Sequence, residues 1–139
     1  MNIKKISIAG IAGGVVAFLL GWLIYGKLLM DFMAEHGNSS VMRAEADMIW
    51  WALILSNIFW GVMLAYIFNR WAHINTLGAG ATAGATISLL IGLSMNLGFY
   101  ATSTVYKDMT GLVVDILAGI VMGAVVGAVV GLVLGKIKD

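Results

Sequence analysis

Hydrophobic positions in this chain run on in long blocks instead of alternating. Four stretches, residues 6–25, 49–68, 77–99 and 116–135, hold no Asp, Glu, Lys, Arg or His. An α-helix needs about 20 consecutive apolar residues to cross the hydrocarbon core of a bilayer. Such a helix closes its own backbone hydrogen bonds, as hydrocarbon demands. Barrel strands would alternate apolar and polar residues, and these runs do not. The pattern predicts an all-α polytopic membrane protein. Its four transmembrane helices form one antiparallel up-down bundle over residues 1–139. The first run far exceeds the 7–15 residues of a signal-peptide core and has no small-residue cleavage pattern after it, so it is expected to stay as a span.

Composition agrees with the pattern. The chain is 61% hydrophobic and 11% charged, against about 45–50% and about 25% in soluble domains. Such a chain cannot clothe a water-facing surface. The absence of cysteine excludes disulfides, thiolate metal sites and thiol chemistry. A net charge of +1 leaves no electrostatic footprint for nucleic acid, which is not expected as a partner.

The flanking cations are uneven. Lys4, Lys5, Arg70, Lys136 and Lys138 fall on one side, and Lys27, Arg43 and Lys107 on the other. The bias expects both termini and the 69–76 turn in the cytoplasm of a bacterial inner membrane. Asp31, Glu35, Glu45, Asp47, Asp108 and Asp115 then make the outer side acidic, with residues 26–48 as its longest loop. Within that loop, residues 28–36 read as a continuation of helix one. Gly37-Asn38-Ser39-Ser40 reads as a turn, with Ser39 or Ser40 capping a helix through Arg43 into the second span. The short 69–76 turn predicts that helices two and three are antiparallel neighbours.

Small residues recur every four positions. Helix four carries Gly119, Gly123, Gly127, Gly131 and Gly135; helix three carries Gly80, Gly84, Ser88 and Gly92; helix one carries Ala9, Gly13, Ala17 and Gly21. In lipid, helices associate through close backbone approach, which glycine permits. The lines either pack only within the chain or, since the helix-four line is longer than one neighbour needs, make a homo-oligomer or other membrane helices the expected partners besides the lipid bilayer. Gly127, mid-line, is expected to tolerate bulk least, and Val126, off the line, to accept it. Residues 12–21 also lie on residues 83–92 at an offset of 71, and Gly61 on Gly131 at an offset of 70. Either a parallel repeat of two hairpins or convergent small-residue packing explains this.

Polar residues inside the spans are few. Asn57 stands near the midplane, Asn96 near the outer edge, and Ser88 between; they are either interhelical glue or the lining of a path. Counting back from Lys136 puts Asp115 at the headgroups. His36 and His73 fall on opposite sides and cannot share a metal or a proton. Asp31, Glu35 and His36 in the outer loop either bind a cation weakly or stand solvated, and the second is the expected reading. No nucleophile stands with a base beside it. No catalytic residue, metal or cofactor is expected, and the chain is not read as an enzyme.

The segment Gly21-Trp22-Leu23-Ile24-Tyr25-Gly26-Lys27, with Met30 and Met33 following, resembles a bacterial four-helix integral membrane family catalogued only as a domain of unknown function. That family carries a Gly…Trp-Tyr…Gly-Lys pattern at the end of helix one and a small-residue-rich last helix. Here Trp22 and Tyr25 are not adjacent, and the family's usual proline is absent. The resemblance implies the four-span architecture and no activity. Asn57 and Thr102-Ser103-Thr104 are similar to residues of small fluoride channels, although the Arg of that family's first helix is missing. Small multidrug exporters carry a glutamate in helix one, and none stands here. The expected role is a non-catalytic, oligomerising or accessory membrane subunit. The alternative is a small ion or solute channel or passive carrier, its path near Asn57, Ser88 and Asn96.

Overall fold

The structure, a computed structural model, describes residues 2–138. Helix α1 (Ile3–Leu23) runs into a π-helical turn, Ile24–Leu28, and is followed by the short α2 (Met30–His36). Helix α3 (Trp50–Tyr66) likewise ends in a π-helical segment, Ile67–Ala72, before α4 (Leu77–Thr102) and α5 (Met109–Lys136). Four helical stretches are long and apolar enough to span a bilayer: Ile3–Leu28, Trp50–Ala72, Leu77–Thr102 and Met109–Lys136. The protein is an all-helical, four-span membrane bundle. The end that carries residues 26–48 and 103–108 is the loop end below; the other is the termini end.

Helices α1 and α5 start ahead of their apolar blocks because side-chain caps set those starts, and Thr76 caps α4 where its block begins. Asn2 accepts from the Lys5 N–H at 3.1 Å, Thr76 from Ala79 at 3.2 Å, and Asp108 from Gly111 at 2.9 Å. Each satisfies an amide that the first turn leaves orphaned. The loop differs from expectation in two places. The Leu29 N–H reaches back to Ile24 O at 2.6 Å, and Leu29 leaves helical geometry, so α2 restarts at Met30 and does not continue α1. No helix passes through Arg43 either: Ser39–Val41 and Glu45–Asp47 are single 3₁₀ turns. Asn38 organises this turn, its Oδ1 accepting from the Ser40 N–H at 3.1 Å and the Ser40 hydroxyl at 2.6 Å. Such local side-chain bonds compete with helix formation. The side chain of Ser39 lies outside the described residues.

Packing pairs α4 with α5 and α1 with α3, and α1 against α5 joins the two hairpins. Helices α3 and α4 do not pack along one another, which corrects the expectation from their short connection. A short turn fixes only how far apart two ends lie. Which faces meet is decided by where backbones can approach. Gly10 and Gly14 of α1 face Val62, Ile58 and Gly61 of α3, and Gly80 and Gly84 of α4 face Gly123, Gly127 and Gly131 of α5. A Cβ on Gly127 would lie 2.9 Å from Gly84 Cα and closer still to the Gly80 carbonyl oxygen. The glycine hydrogens therefore point at carbonyl oxygens across the interface, contacts worth about 0.5–1 kcal/mol each. The core, around Ile6, Ala9, Ala17, Leu64, Phe68, Val126 and Val130, sits where α1, α3 and α5 meet. Val126 is 0% exposed. Although off the glycine line, it faces the core, so the expected tolerance there does not hold. Both hairpins use a glycine crossing, but α1 meets α5 without a matching α3–α4 contact, so no two-fold relates them.

Candidate functional site

Helices α4 and α5 touch closely at the termini end and open toward the loop end. Gly92 is only in ordinary contact with Ile116, 3.7 Å from a Cβ built on it, and around Gly119 nothing lies within 4 Å. The expected packing at Gly119 is therefore not found; the helices have already diverged there. Their divergence leaves a cleft of about 240 Å³ lined by Tyr25, Trp60, Ser88, Asn96, Asp115 and Met122, among others. Gly21 lies outside it, its nearest neighbour being Met122 at 3.7 Å, while Gly13 abuts Val130 and Val126 of α5 and Gly61 of α3. Gly131 and Gly135 are taken up against Thr76 and Asn75 in the turn before α4.

Asp115 is the centre of the cleft's polar end. Its Oδ1 accepts from the Tyr25 hydroxyl at 2.5 Å; its Oδ2 accepts from Asn96 Nδ2 at 3.0 Å and from the Tyr106 hydroxyl at 2.5 Å. Helix α5 begins at Met109, ahead of the apolar block, so Asp115 is a half-buried residue nearly two turns into the helix. The N-cap pattern Asp108-Met109-Thr110-Gly111 is the signal in the sequence that marks this earlier start. Tyr25 stands in the π-helical turn that ends α1, a feature frequent at functional sites. Burial, then the hydrogen bond to Asp115 and its charge, raise the Tyr106 hydroxyl well above its ordinary value, so it remains a donor.

Tyr106 is held by a clasp between the two loops. Gly37 and Tyr106 form an antiparallel bridge, flanked by Asn38 N–H to Val105 O at 2.8 Å and Lys107 N–H to His36 O at 2.9 Å. Side chains repeat the connection, His36 Nδ1 to Asp108 Oδ2 at 2.8 Å and Asn38 Nδ2 to Thr104 Oγ1 at 3.2 Å. His36 is thus engaged with Asp108 and does not stand with Asp31 and Glu35 as a solvated group. The Gly111 N–H, then His36, hold the Asp108 carboxyl below its ordinary value of 3.8. A carboxyl depressed by folding stabilises the fold fully above its unfolded value and stops doing so as pH falls through its folded one. The melting temperature is therefore expected to fall as pH drops below 3.8. In Asp108→Asn, which cannot ionise, that acid limb should be shallower.

Ser88 forms the deep end of the cleft. It is 6% exposed, and its Oγ has no hydrogen-bond partner among the described residues. The threonine hydroxyls of α4 bond back one turn: Thr82 to Gly78 O at 3.1 Å, Thr86 to Thr82 O at 2.8 Å, Thr102 to Gly98 O at 2.8 Å. Ser88 does not, and sits instead over Gly123. A buried hydroxyl left unpaired costs about 1–3 kcal/mol.

The three polar residues considered for a path are not brought together. Ser88 and Asn96 share the cleft, whereas Asn57 donates to Leu53 O of its own helix at 2.9 Å. Asn57 lines a separate apolar cavity of about 330 Å³ with Phe18, Trp22, Met42, Met48 and Trp50. Tyr25 borders both. A third cavity of about 720 Å³ opens at the termini end among Asn2, Lys5, Asn69, His73 and Asn75. No group of three or more His, Cys, Asp or Glu suited to a metal occurs among the described residues. Comparison with protein-family models, curated proteins and solved structures found no match.

Proposed function

We propose that this chain is a non-catalytic membrane protein that binds a small solute in the Ser88–Asp115 cleft and carries it passively. One observation supports this above the others: a residue with a buried, unpartnered hydroxyl, Ser88, lines the same cleft as a carboxylate two helical turns away. Packing over Gly123 accounts for a small side chain at Ser88 but leaves its hydroxyl unpaired, and a ligand toward which the hydroxyl turns satisfies it. The test is solute uptake by proteoliposomes. A Cβ at Gly119 meets nothing within 4 Å, so Gly119→Leu enters the open space of the cleft and should stop uptake, with thermal melts showing the fold retained. Liposomes impermeable to every small ion and solute tested would count against carriage.

The oligomerising or accessory-subunit reading stands second. The helix-four stripe that suggested it is occupied within the chain, except at Gly119. What favours it now is α4, which has α5 as its one extensive neighbour and exposes Leu90, Leu93, Met95 and Leu97. Native mass spectrometry counting one copy only would remove it.

The bacterial inner membrane and cytoplasmic termini belong to the same proposal, on the five-to-three Lys/Arg bias. In this cysteine-free chain, impermeant maleimide should label Glu45→Cys and Lys107→Cys in intact cells but not Asn75→Cys. Labelling of position 75 alone would invert the orientation.

A further inference from the structure

We propose that the cleft's ligand is an amphiphilic organic ammonium, its charged head at Asp115 and its body directed toward Ser88. This rests on the cleft being a solute site and adds the chemical class of the solute.

The head group follows from what Asp115 has left to give. Each carboxylate oxygen accepts about two hydrogen bonds. Oδ2 already holds Asn96 and Tyr106; Oδ1 holds Tyr25 alone. One acceptor position remains, so the group that completes the site is a donor. No Lys, Arg or His lines the cleft to receive an anion, while Tyr25, bonded to Asp115, brings beside the head group an aromatic ring of the kind that attracts ammonium ions. A bare metal ion would want about six oxygens, which these walls do not offer.

The body follows from the walls. Asn96 and Ser88 are eight residues apart on α4, as are Asp115 and Gly123 on α5, a rise of about 12 Å. Between those levels the lining is Ile91, Gly92, Ile116, Gly119 and Met122. The space is therefore polar at the mouth and apolar along its length, with the unpaired Ser88 hydroxyl buried behind its deep end. Its 240 Å³ fits a single ring on a short arm. Because α3 and α4 do not pack together, the cleft between Trp60 and Ser88 is not closed by a helix contact on that side. An amphiphile dissolved in the bilayer has lateral access to it.

The test is calorimetric binding to nanodisc-reconstituted protein, with empty nanodiscs as the blank, using phenethylammonium, tyramine and the neutral phenethyl alcohol. Both amines should bind, and the alcohol at least tenfold more weakly. Asp115→Asn should weaken both amines at least tenfold. Ser88→Ala should weaken tyramine, whose phenol reaches the deep end, several-fold and leave phenethylammonium unchanged. Equal affinity for the alcohol overturns the ammonium class, as does indifference of tyramine to Ser88→Ala. If Asp115→Asn does not fold, the wild-type ligand comparison and Ser88→Ala still decide. Failure of the amines while another solute enters and is stopped by Gly119→Leu removes the ammonium and leaves the solute site. Failure of every solute removes both.

Discussion

Gly127→Ala should lower the melting temperature of this protein, and Gly98→Ala should raise it. Both changes remove a glycine from a helix, which by itself favours alanine by about 1 kcal/mol. At Gly98 nothing lies within 4 Å of the added Cβ, so that gain stands. At Gly127 the Cβ meets the Gly80 carbonyl and the Gly84 Cα at 2.9 Å. The obstacle is backbone on a second helix and cannot swing aside. Overpacking of this kind costs typically 1–3 kcal/mol, enough to outweigh the propensity gain. Gly127→Leu goes further and should drive α4 from α5. Val126→Leu should also be costly, because Val126 is fully buried against α1. Thermal melts in detergent, followed by circular dichroism, measure all four. If Gly127→Ala melts no lower than wild type, the glycine crossing does not hold the hairpin.

Asp115→Leu should be the most damaging single change at the loop end. It strands the Tyr25 and Tyr106 hydroxyls and the Asn96 amide together. A buried donor without an acceptor costs about 1–3 kcal/mol. With water reaching this half-buried site, the combined loss is expected at about 2–4 kcal/mol. Tyr106→Phe removes one donor and leaves the carboxylate two partners, so about 1 kcal/mol is expected. The double variant should cost less than the sum, since the two residues share one bond. Denaturant or thermal melts of the three variants test this. Equal stability of Asp115→Leu and Tyr106→Phe would show that the network does not brace the loop end.

What the sequence determined by itself is what hydrocarbon enforces locally. A charge or an unpaired amide inside lipid is costly wherever it stands, so unbroken apolar runs suffice to locate four helices and to exclude strands. The glycine lines likewise mark, from spacing alone, faces where backbones come close. Helix ends were less legible, because Asn2 and Asp108 cap from outside the apolar blocks and lengthen α1 and α5 beyond them. Tertiary structure alone decided which glycine faces meet, and so paired α1 with α3 and α4 with α5 in preference to the chain neighbours α3 and α4. It also assembled the site. Tyr25 lies 90 residues from Asp115 in sequence, Asn96 lies 19 and Tyr106 lies 9, and no periodicity links them. A hydrogen-bond network is set by the relative placement of helices. That placement depends on a few side-chain volumes at the crossings, a property of pairs of segments that neither segment carries alone.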